Sequence, residues 1–460
     1  MTATLRKPRA ATLALCALTA CAAHGRHERP APNIPAAWQQ RDGAESAAPG
    51  QQRWWERFGD PALDALVHDA LQHNNDLAVA ALEVRRARLE AGLAAGAQLP
   101  TLTAGATAGA SRALSGGAST TPSFGLSGTA SWEVDLFGRL ASQRSAAQWE
   151  ATATEQDREG AALILTGTTA TLYWKIGYLK QRLALSEQSI AYARKALELA
   201  KALQEAGSGS GLDVAQAEQV TASQEAAHTQ LEQQLVEARH ALALLFDGGL
   251  AATRPEPDRL SDSPLPGVEA GLPAELLSRR PDLRAAELRL RSLYASADAT
   301  RAGWYPTLTL TGGFGTASDA LSRLLQNPVA TLGAGLVLPF VQWRDLRRKV
   351  EISDIQAEAA AIGFRQTLTR ALVDVENALS ARTNTLLQAE KLARSLAAAR
   401  RAESLSEIRF RAGATSLKVW LDAQEARRQT EAALAENRFN QLLTHVALIE
   451  ALGGDAVPLP

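Results

Sequence analysis

The residue types that most often carry catalysis are sparse in this 460-residue chain and nowhere converge. Its seven histidines are scattered and never form the His-Glu-x-x-His spacing of a catalytic zinc site. The run Gly207-Ser208-Gly209-Ser210-Gly211 lacks the lysine of a phosphate-binding loop, so we interpret it as a turn between two helices. The sequence therefore predicts no enzyme, no metal site and no cofactor.

The only two cysteines, Cys16 and Cys21, lie close to the start of the chain, so the body of the protein has no thiol chemistry. A positive region, a short apolar region and the small residues of Leu18-Thr19-Ala20-Cys21 follow one another, as in a secretory signal. An ordinary signal peptide with an incidental cysteine would have the same outline.

The segment Leu18-Thr19-Ala20-Cys21 resembles the bacterial lipobox, in which cleavage leaves an N-terminal, diacylated cysteine. We therefore predict a lipoprotein signal peptide over residues 1–20, lipidation at Cys21, and a lipidated tether rich in Pro, Ala and Gln over residues 21–52. Ala22, instead of Asp, follows the cysteine. By resemblance to lipoprotein sorting rules, this residue implies the outer membrane.

The composition favours closely packed helices over a bulky mixed core. Hydrophobic residues make up 46% of the chain, largely as Ala, while aromatic residues make up only 5%. Forty-eight basic residues nearly cancel 49 acidic ones, and no long basic stretch with interleaved aromatics is present. Nucleic acid is therefore not an expected partner.

The chain repeats itself with a constant offset of 206 residues. The matching pairs are Asp76-Leu77 with Asp282-Leu283, Leu82 with Leu288, Pro100-Thr101-Leu102-Thr103 with Pro306-Thr307-Leu308-Thr309, and Ala206-Gly207 with Ala412-Gly413. One register shared at four separate places indicates an internal tandem duplication. We predict a first repeat over residues 53–250, a linker over 251–270 and a second repeat over 271–455.

Each repeat contains a pair of runs in which apolar and small polar residues alternate. The first run places Leu102, Ala104, Ala106, Ala108 and Ala110 on one face and Thr, Gly and Ser on the other. Alternation with a period of two predicts strands at about 101–113 and 123–135, and again at about 307–316 and 330–340.

The remaining sequence is Ala-rich with helical periodicity. No proline interrupts residues 139–206 or 345–412, so each span could form one helix of about 100 Å at 1.5 Å per residue. Flanking helices at about 63–98, 212–246, 272–304 and 418–452 would be half as long. Apolar residues recur in steps of four and three, which predicts coiled-coil packing.

Each predicted strand is long enough to cross a membrane core when tilted, and its apolar face suits lipid. A four-stranded soluble sheet packed on one face would give the same alternation. In lipid, however, four strands cannot close a barrel with a lumen, and open edges are not tolerated. The subunit must therefore oligomerise, although the residues alone do not fix the number of copies.

Several motifs resemble those of the TolC-like outer-membrane factors, and specifically the NodT or OprM-type efflux lipoproteins. They are Trp54-Trp55-Glu56-Arg57-Phe58-Gly59-Asp60-Pro61, Asn75-Asp76-Leu77, Gln98-Leu99-Pro100, Trp132-Glu133-Val134-Asp135-Leu136-Phe137-Gly138-Arg139, Arg279-Arg280-Pro281-Asp282-Leu283, Tyr305-Pro306, Arg409-Phe410-Arg411-Ala412-Gly413 and Leu421-Asp422-Ala423-Gln424. Each motif is short, but their order and spacing cover essentially the whole mature chain.

The resemblance implies a mainly α fold in which a homotrimer closes a 12-stranded membrane β-barrel and a long coiled-coil α-barrel. It implies an outer-membrane channel subunit of a tripartite efflux system that works with a periplasmic adaptor and an inner-membrane pump, expected to be of the RND type. Passive export of small molecules or drugs would follow. The channel would be lipid-anchored in the outer membrane, contact its lipids and extend into the periplasm.

The resemblance also implies where such a tunnel would be gated, namely where its helices turn at the periplasmic end. Asp422 matches an aspartate that faces the pore there, although a solvated helix aspartate would look the same. Lys418 and Val419 stand where relatives carry apolar or further acidic residues, and Lys418 could pair with Asp422 at i, i+4. Asp213 resembles an aspartate that latches the closed helices, or it simply favours the start of its own helix.

Other functions remain open at this stage. A type I protein-secretion channel belongs to the same class, and the lipobox favours small-molecule efflux over it. A lipid-anchored periplasmic coiled-coil scaffold without a pore would not need the strand pairs. A periplasmic enzyme would need convergent polar groups, which the sequence does not show.

Overall fold

A computed structural model describes residues 34–39, 53–114, 120–247, 254–268, 271 and 273–454. The predicted signal peptide, Cys21 and most of the predicted tether lie outside these residues. The described chain is mainly helical with one four-stranded sheet, as expected. Its helices are α1 (Pro61–His73), α2 (Asn75–Gly96), α3 (Arg139–Glu205), α4 (Gly211–Ala243), α5 (Leu276–Arg279), α6 (Pro281–Ala302), α7 (Trp343–Arg411) and α8 (Leu417–Leu452).

The sheet is an antiparallel meander of β1 (Thr101–Arg112), β2 (Thr120–Val134), β3 (Thr307–Ser318) and β4 (Pro328–Val337), in the order β1-β2-β3-β4. The pairing of β2 with β3 joins the two repeats, with Trp132 opposite Leu310. Strand β4 ends three residues before the predicted limit, because Pro339 begins a short 3-10 helix and has no N–H to donate to a ladder.

The two long helices form as predicted, with 67 residues in α3 and 69 in α7. The prediction of one continuous helix over 63–98 is wrong, because Asn74 adopts an extended conformation (φ −77°, ψ 126°) between α1 and α2. The helix expected over 272–304 is likewise broken at Arg280 (φ −75°, ψ 121°). Arg280 precedes a proline, which disfavours the helical conformation for the residue before it.

The two breaks are equivalent positions of the duplication, and their side chains make equivalent hydrogen bonds. The Asn74 amide donates to the carbonyl oxygen of Leu245 at 3.0 Å. The Arg280 guanidinium donates to that of Ala451 at 3.1 Å. Leu245 and Ala451 are themselves 206 residues apart, so the duplication extends to a specific tertiary contact.

The described residues pack as two compact units. One contains Leu82–Gln156 and Ala285–Thr367, and includes all four strands. The other contains the described residues within Asn33–Ala81, Asp157–Arg284 and Leu368–Pro460. Each unit takes segments from both predicted repeats, so the duplication does not correspond to two separately packed domains.

In the strand-containing unit, the predicted motif around Gly138 forms the junction between β2 and α3. Arg139 binds both carboxylate oxygens of Glu133, at 2.6 and 2.7 Å. The Trp132 indole N–H donates to the carbonyl of Gln98 at 2.9 Å. These contacts fix the direction in which the long helix leaves the sheet.

In the other unit, the largest core gathers around the tryptophan-rich motif near residue 54. Trp54 packs edge-on against Trp55, with ring centroids 5.8 Å apart, and Phe58 lies 4.8 Å from Trp174. Asp60 caps α1 and also accepts a 2.8 Å hydrogen bond from the Tyr173 hydroxyl. Packing and helix capping therefore account for the motif.

Basic side chains of the helices bind the described part of the predicted linker, residues 254–268. Lys180 and Arg239 both bind Glu256, at 3.0 and 2.7 Å. Arg382 donates to the carbonyl of Pro266 at 3.2 Å.

Within the described ranges, no helix has the length and apolar character needed to cross a bilayer.

Candidate functional site

The predicted gate residues all lie at two helical hairpins, one in each repeat, within the same compact unit. The first hairpin joins α3 to α4 and contains Asp213. The second joins α7 to α8 and contains Lys418, Val419 and Asp422 in the first two turns of α8. Both hairpins turn at a glycine, Gly207 and its repeat equivalent Gly413.

The two glycines close their helices in the same way. Gly207 has φ 75° and Gly413 has φ 67°, in the left-handed region that favours glycine. The amide that follows each of them bonds back five residues, from Ser208 to the Leu203 carbonyl at 2.9 Å and from Ala414 to the Arg409 carbonyl at 2.8 Å. This is the hydrogen-bond pattern with which many helices end.

Asp213 forms a reciprocal capping box with Ser210 at the start of α4. Its carboxylate accepts from the Ser210 backbone N–H at 3.1 Å and from the Ser210 hydroxyl at 2.8 Å. These hydrogen bonds lower the pKa of Asp213 below its usual value. Local helix capping thus accounts for this aspartate, while its role as a latch stays a prediction.

Asp422 pairs with Lys418 across one turn of α8. The Lys418 ammonium lies 3.2 and 3.1 Å from the two carboxylate oxygens. Both side chains are mostly solvent-exposed, at 61% and 64%. Val419 lies between them in sequence and is also exposed. The site therefore presents a balanced pair of opposite charges to solvent, with an apolar residue beside it.

Beneath these exposed residues, a small core holds the hairpins together. It contains Ala200, Ala217 and Leu417, and the rings of Phe410 and Trp420 stack beside it at 5.4 Å. The sequence interpretation did not single out this aromatic pair. The two aromatic residues lie three residues before and seven residues after Gly413, on the two helices that this turn joins.

A second feature that the sequence interpretation missed is the polar seam of α8. Steps of four and three place seam residues at Leu417, Leu421, Gln424, Arg428, Glu431, Ala435, Arg438 and Leu442, so most of the seam between Leu421 and Leu442 is polar or charged. Gln424 and Arg428 are nevertheless buried. Neighbouring Arg427 pairs with both Glu403 and Glu431.

The described part of the chain contains no group of three or more His, Cys, Asp or Glu side chains placed to hold a metal ion. The largest pKa shifts among its acids and histidines come from burial. Burial and two nearby arginines lower the pKa of His445 to about 3, and burial raises that of Glu450 to about 7. Neither residue lies at the hairpins.

Comparison with known proteins gives consistent matches over nearly the whole chain. The family model described as outer membrane efflux protein matches residues 66–247 and 272–454, one segment in each half. The pyoverdine export outer membrane protein OpmQ of Pseudomonas putida is 33% identical over 430 residues, covering 91% of this chain and 92% of that protein.

Solved structures of outer-membrane channels show the same fold. The chain resembles the outer-membrane channel OprN with 27% identity and a TM-score of 0.82, covering 94% of this chain and 99% of that one. It resembles the open state of the Neisseria gonorrhoeae MtrE outer membrane channel with 27% identity and a TM-score of 0.85, covering 95% and 99%.

Proposed function

Because this chain belongs to the outer membrane efflux protein family and is an outer-membrane efflux channel protein, we propose that three copies close their sheets into one barrel. The observation that carries this proposal is the open sheet. Strands β1 and β4 are its two outer strands, so each has a row of backbone groups that the sheet itself does not pair. Unpaired edges are costly in lipid, and closure removes them.

The faces of the sheet support the same proposal. Leu102, Leu332 and Leu336 are 77%, 94% and 62% exposed, so the apolar side chains of the outer strands have no protein cover within one chain. Lipid would cover them. The opposite face of Thr, Gly and Ser suits a water-filled lumen. Three four-stranded sheets give twelve strands, enough for an aqueous pore.

The same threefold arrangement would bring three copies of the hairpin site together. Each copy contributes one Lys418–Asp422 pair, so the proposed gate is a ring of alternating charges. Replacing Asp422 by Ala should change the current through the channel, because three carboxylates are lost at its narrowest part. An unchanged current would remove Asp422 from the gate while leaving the channel proposal intact.

The proposed role is passive and depends on partners. Lipidation at Cys21 would anchor the protein in the outer membrane. An inner-membrane pump of the RND type would supply the energy, a periplasmic adaptor would engage the helical tips of the channel, and this chain would carry out no enzymatic reaction.

The proposed cargo is a small molecule. The 33% identical relative is named for export of pyoverdine, which supports small-molecule efflux over secretion of a protein. The sequence similarity extends over 91% of this chain, so it is not limited to the membrane strands.

Disulfide cross-linking between the outer strands tests the closed barrel. Thr107→Cys on β1 is combined with cysteines introduced one at a time from Val329 to Gly335 on β4. We expect covalent dimers and trimers, reversed by a reducing agent, at alternate β4 positions. The matched control combines Thr107→Cys with Thr311→Cys on inner strand β3, and Thr107→Cys alone reports any background from Cys21.

Monomers at every β4 position would contradict the closed barrel. Covalent species larger than trimers would contradict the number of copies and leave edge-to-edge closure in place. The two parts of the proposal can therefore fail separately.

A further inference from the structure

A cavity of about 240 Å³ lies between α3, α4 and α8 and has two kinds of wall. One wall is apolar and consists mainly of Ala193, Ala196, Ala217, Val220 and Leu421. The other is polar and combines side chains of α4 and α8, among them Gln224, Gln424 and Arg428. Such a combination of an apolar wall and a few placed polar groups is typical of small-molecule sites.

Arg428 is the unusual group in this cavity. Its side chain is only 8% exposed, and its Nη2 donates to Glu425 at 2.8 Å. Its Nε and Nη1 are buried and have no hydrogen-bond partner among the described residues. A buried donor without a partner is costly, and the cost is larger for a charged group. The arginine therefore has unsatisfied N–H groups available for an occupant of the cavity.

The nearby carboxylate of Glu425 does not accept the hydrogen bonds that Arg428 Nε and Nη1 could donate. Glu425 Oε2 already accepts from Arg428 and from the Gln224 amide at 3.3 Å, and its Oε1 accepts from Gln429 at 3.0 Å. Asp422 lines the cavity but binds Lys418. The charges of these two pairs cancel, so the site has no net positive charge and is poorly suited to a multivalent anion.

We propose that this cavity binds a small carboxylic acid with an apolar body. The carboxylate would accept from Arg428 Nη1, while the body would lie against Ala217, Val220 and the other apolar side chains. Charge-assisted hydrogen bonds from arginine to a carboxylate are among the stronger polar contacts in proteins. The cavity volume is below the range of about 300–1,000 Å³ usual for drug-sized ligands, so the acid must be small.

Calorimetric titration of the purified full-length protein with benzoate tests the proposal, with benzamide as the neutral probe of the same shape. We expect benzoate to bind at least tenfold more tightly than benzamide. Arg428→Gln should weaken benzoate binding at least tenfold. The matched control Arg394→Gln removes the same charge from an exposed ion pair on α7 and should leave benzoate binding unchanged.

A second variant keeps the proposal testable if Arg428→Gln does not fold. Ser223 lines the cavity but is exposed on α4, so Ser223→Phe should obstruct the cavity without removing a core contact. We expect it to weaken benzoate binding while the circular dichroism spectrum stays that of the wild type. Equal binding of benzoate and benzamide, or benzoate binding unaffected by both variants, would overturn the proposal.

A crystal grown with 4-bromobenzoate locates the ligand by the anomalous signal of bromine. A bromine peak in this cavity, with the carboxylate at Arg428, is the expected result. Only water at Arg428, or a carboxylate side chain of a second copy, would overturn it. Neither result depends on whether the protein conducts ions.

Discussion

The two copies of the duplicated unit agree where they fix the backbone and differ where they meet solvent at the hairpins. Asn74 and Arg280 differ in side chain, yet both interrupt a helix and donate to equivalent carbonyls. Gly207 and Gly413 turn the two hairpins with nearly the same φ. The duplication has therefore kept the contacts that determine helix directions, even when the residue type changed.

The starts of α4 and α8 show the opposite behaviour. Ser210 and Ser416 are equivalent N-cap residues, but only Ser210 makes a side-chain capping hydrogen bond. Its partner Asp213 corresponds to Val419, which cannot complete a capping box. The second copy instead has its charges on Lys418 and Asp422. One hairpin thus uses its acidic group for local stability, and the other leaves its acidic group available at the surface.

Removing the two helix-break side chains should have the largest effect on stability. Arg280→Ala leaves Asp282, Asp374 and the Ala451 carbonyl without their shared donor, so we expect a loss of about 2 to 4 kcal/mol. Asn74→Ala removes a cap and one tertiary hydrogen bond, with an expected loss of about 1 to 2 kcal/mol. Thermal unfolding in detergent and amide hydrogen exchange around each break measure both. Negligible losses from both variants would show that these two side chains do not stabilise the breaks.

Glu450 distinguishes the copies through pH, since its equivalent Leu244 has no charge. The unfolded carboxyl ionises near pH 4.5, whereas burial raises the folded pKa to about 7. The folded state therefore binds more protons between these values, and stability falls as the pH rises through this window. Glu450→Gln should stabilise the protein by roughly 1 to 2 kcal/mol at pH 8, after allowance for partial solvent screening, and by little at pH 4.

Thermal unfolding at both pH values measures this difference. Glu436→Gln is the matched control, since Glu436 is an exposed glutamate on the same helix. Stabilisation by Glu450→Gln that is the same at both pH values would show that ionisation is not its cause.

The serine caps give the next largest difference. Ser210→Ala removes the capping box and should cost about 1 kcal/mol locally, whereas Ser416→Ala should cost only a few tenths. Hydrogen exchange of the first turns of α4 and α8 reports these losses separately. Val419→Asp should reduce the asymmetry by giving Ser416 a capping partner. Equal losses from the two serine variants would show that the hairpins do not differ in capping.

The smallest effect is expected for the exposed pair Lys418–Asp422. A double-mutant cycle with Lys418→Gln and Asp422→Asn should give a coupling of about 0.3 to 0.5 kcal/mol at most. A coupling above 1 kcal/mol would assign the pair a structural role. A small coupling leaves both charges available for the pore.

Most of the architecture could be predicted from the sequence because its signals are local and repeated. Proline-free spans of Ala-rich helical periodicity predicted α3 and α7, and alternation predicted the four strands. The constant offset of 206 residues indicates the duplication from the sequence alone. Signals that recur in two copies are less often accidental than a single match.

The missed features depend on tertiary contacts. The break at Asn74 depends on the Leu245 carbonyl, which lies 171 residues away in sequence. Burial of Arg428 depends on how α3 and α4 pack against α8, although its polar seam position was visible in the sequence. Asp213 was assigned two alternative roles because a helix cap and an interhelical latch both call for an aspartate near a helix start. In the structure its partner is Ser210, in the capping box of α4.

The central claim is that the open sheet of one chain becomes a closed, conducting barrel in the oligomer. Single-channel recording of the purified full-length protein in a planar bilayer tests this claim most directly. We predict discrete conductance steps of uniform size, as expected for one kind of aqueous pore. The absence of any conductance from protein that is folded and oligomeric would contradict the claim and favour a scaffold without a pore.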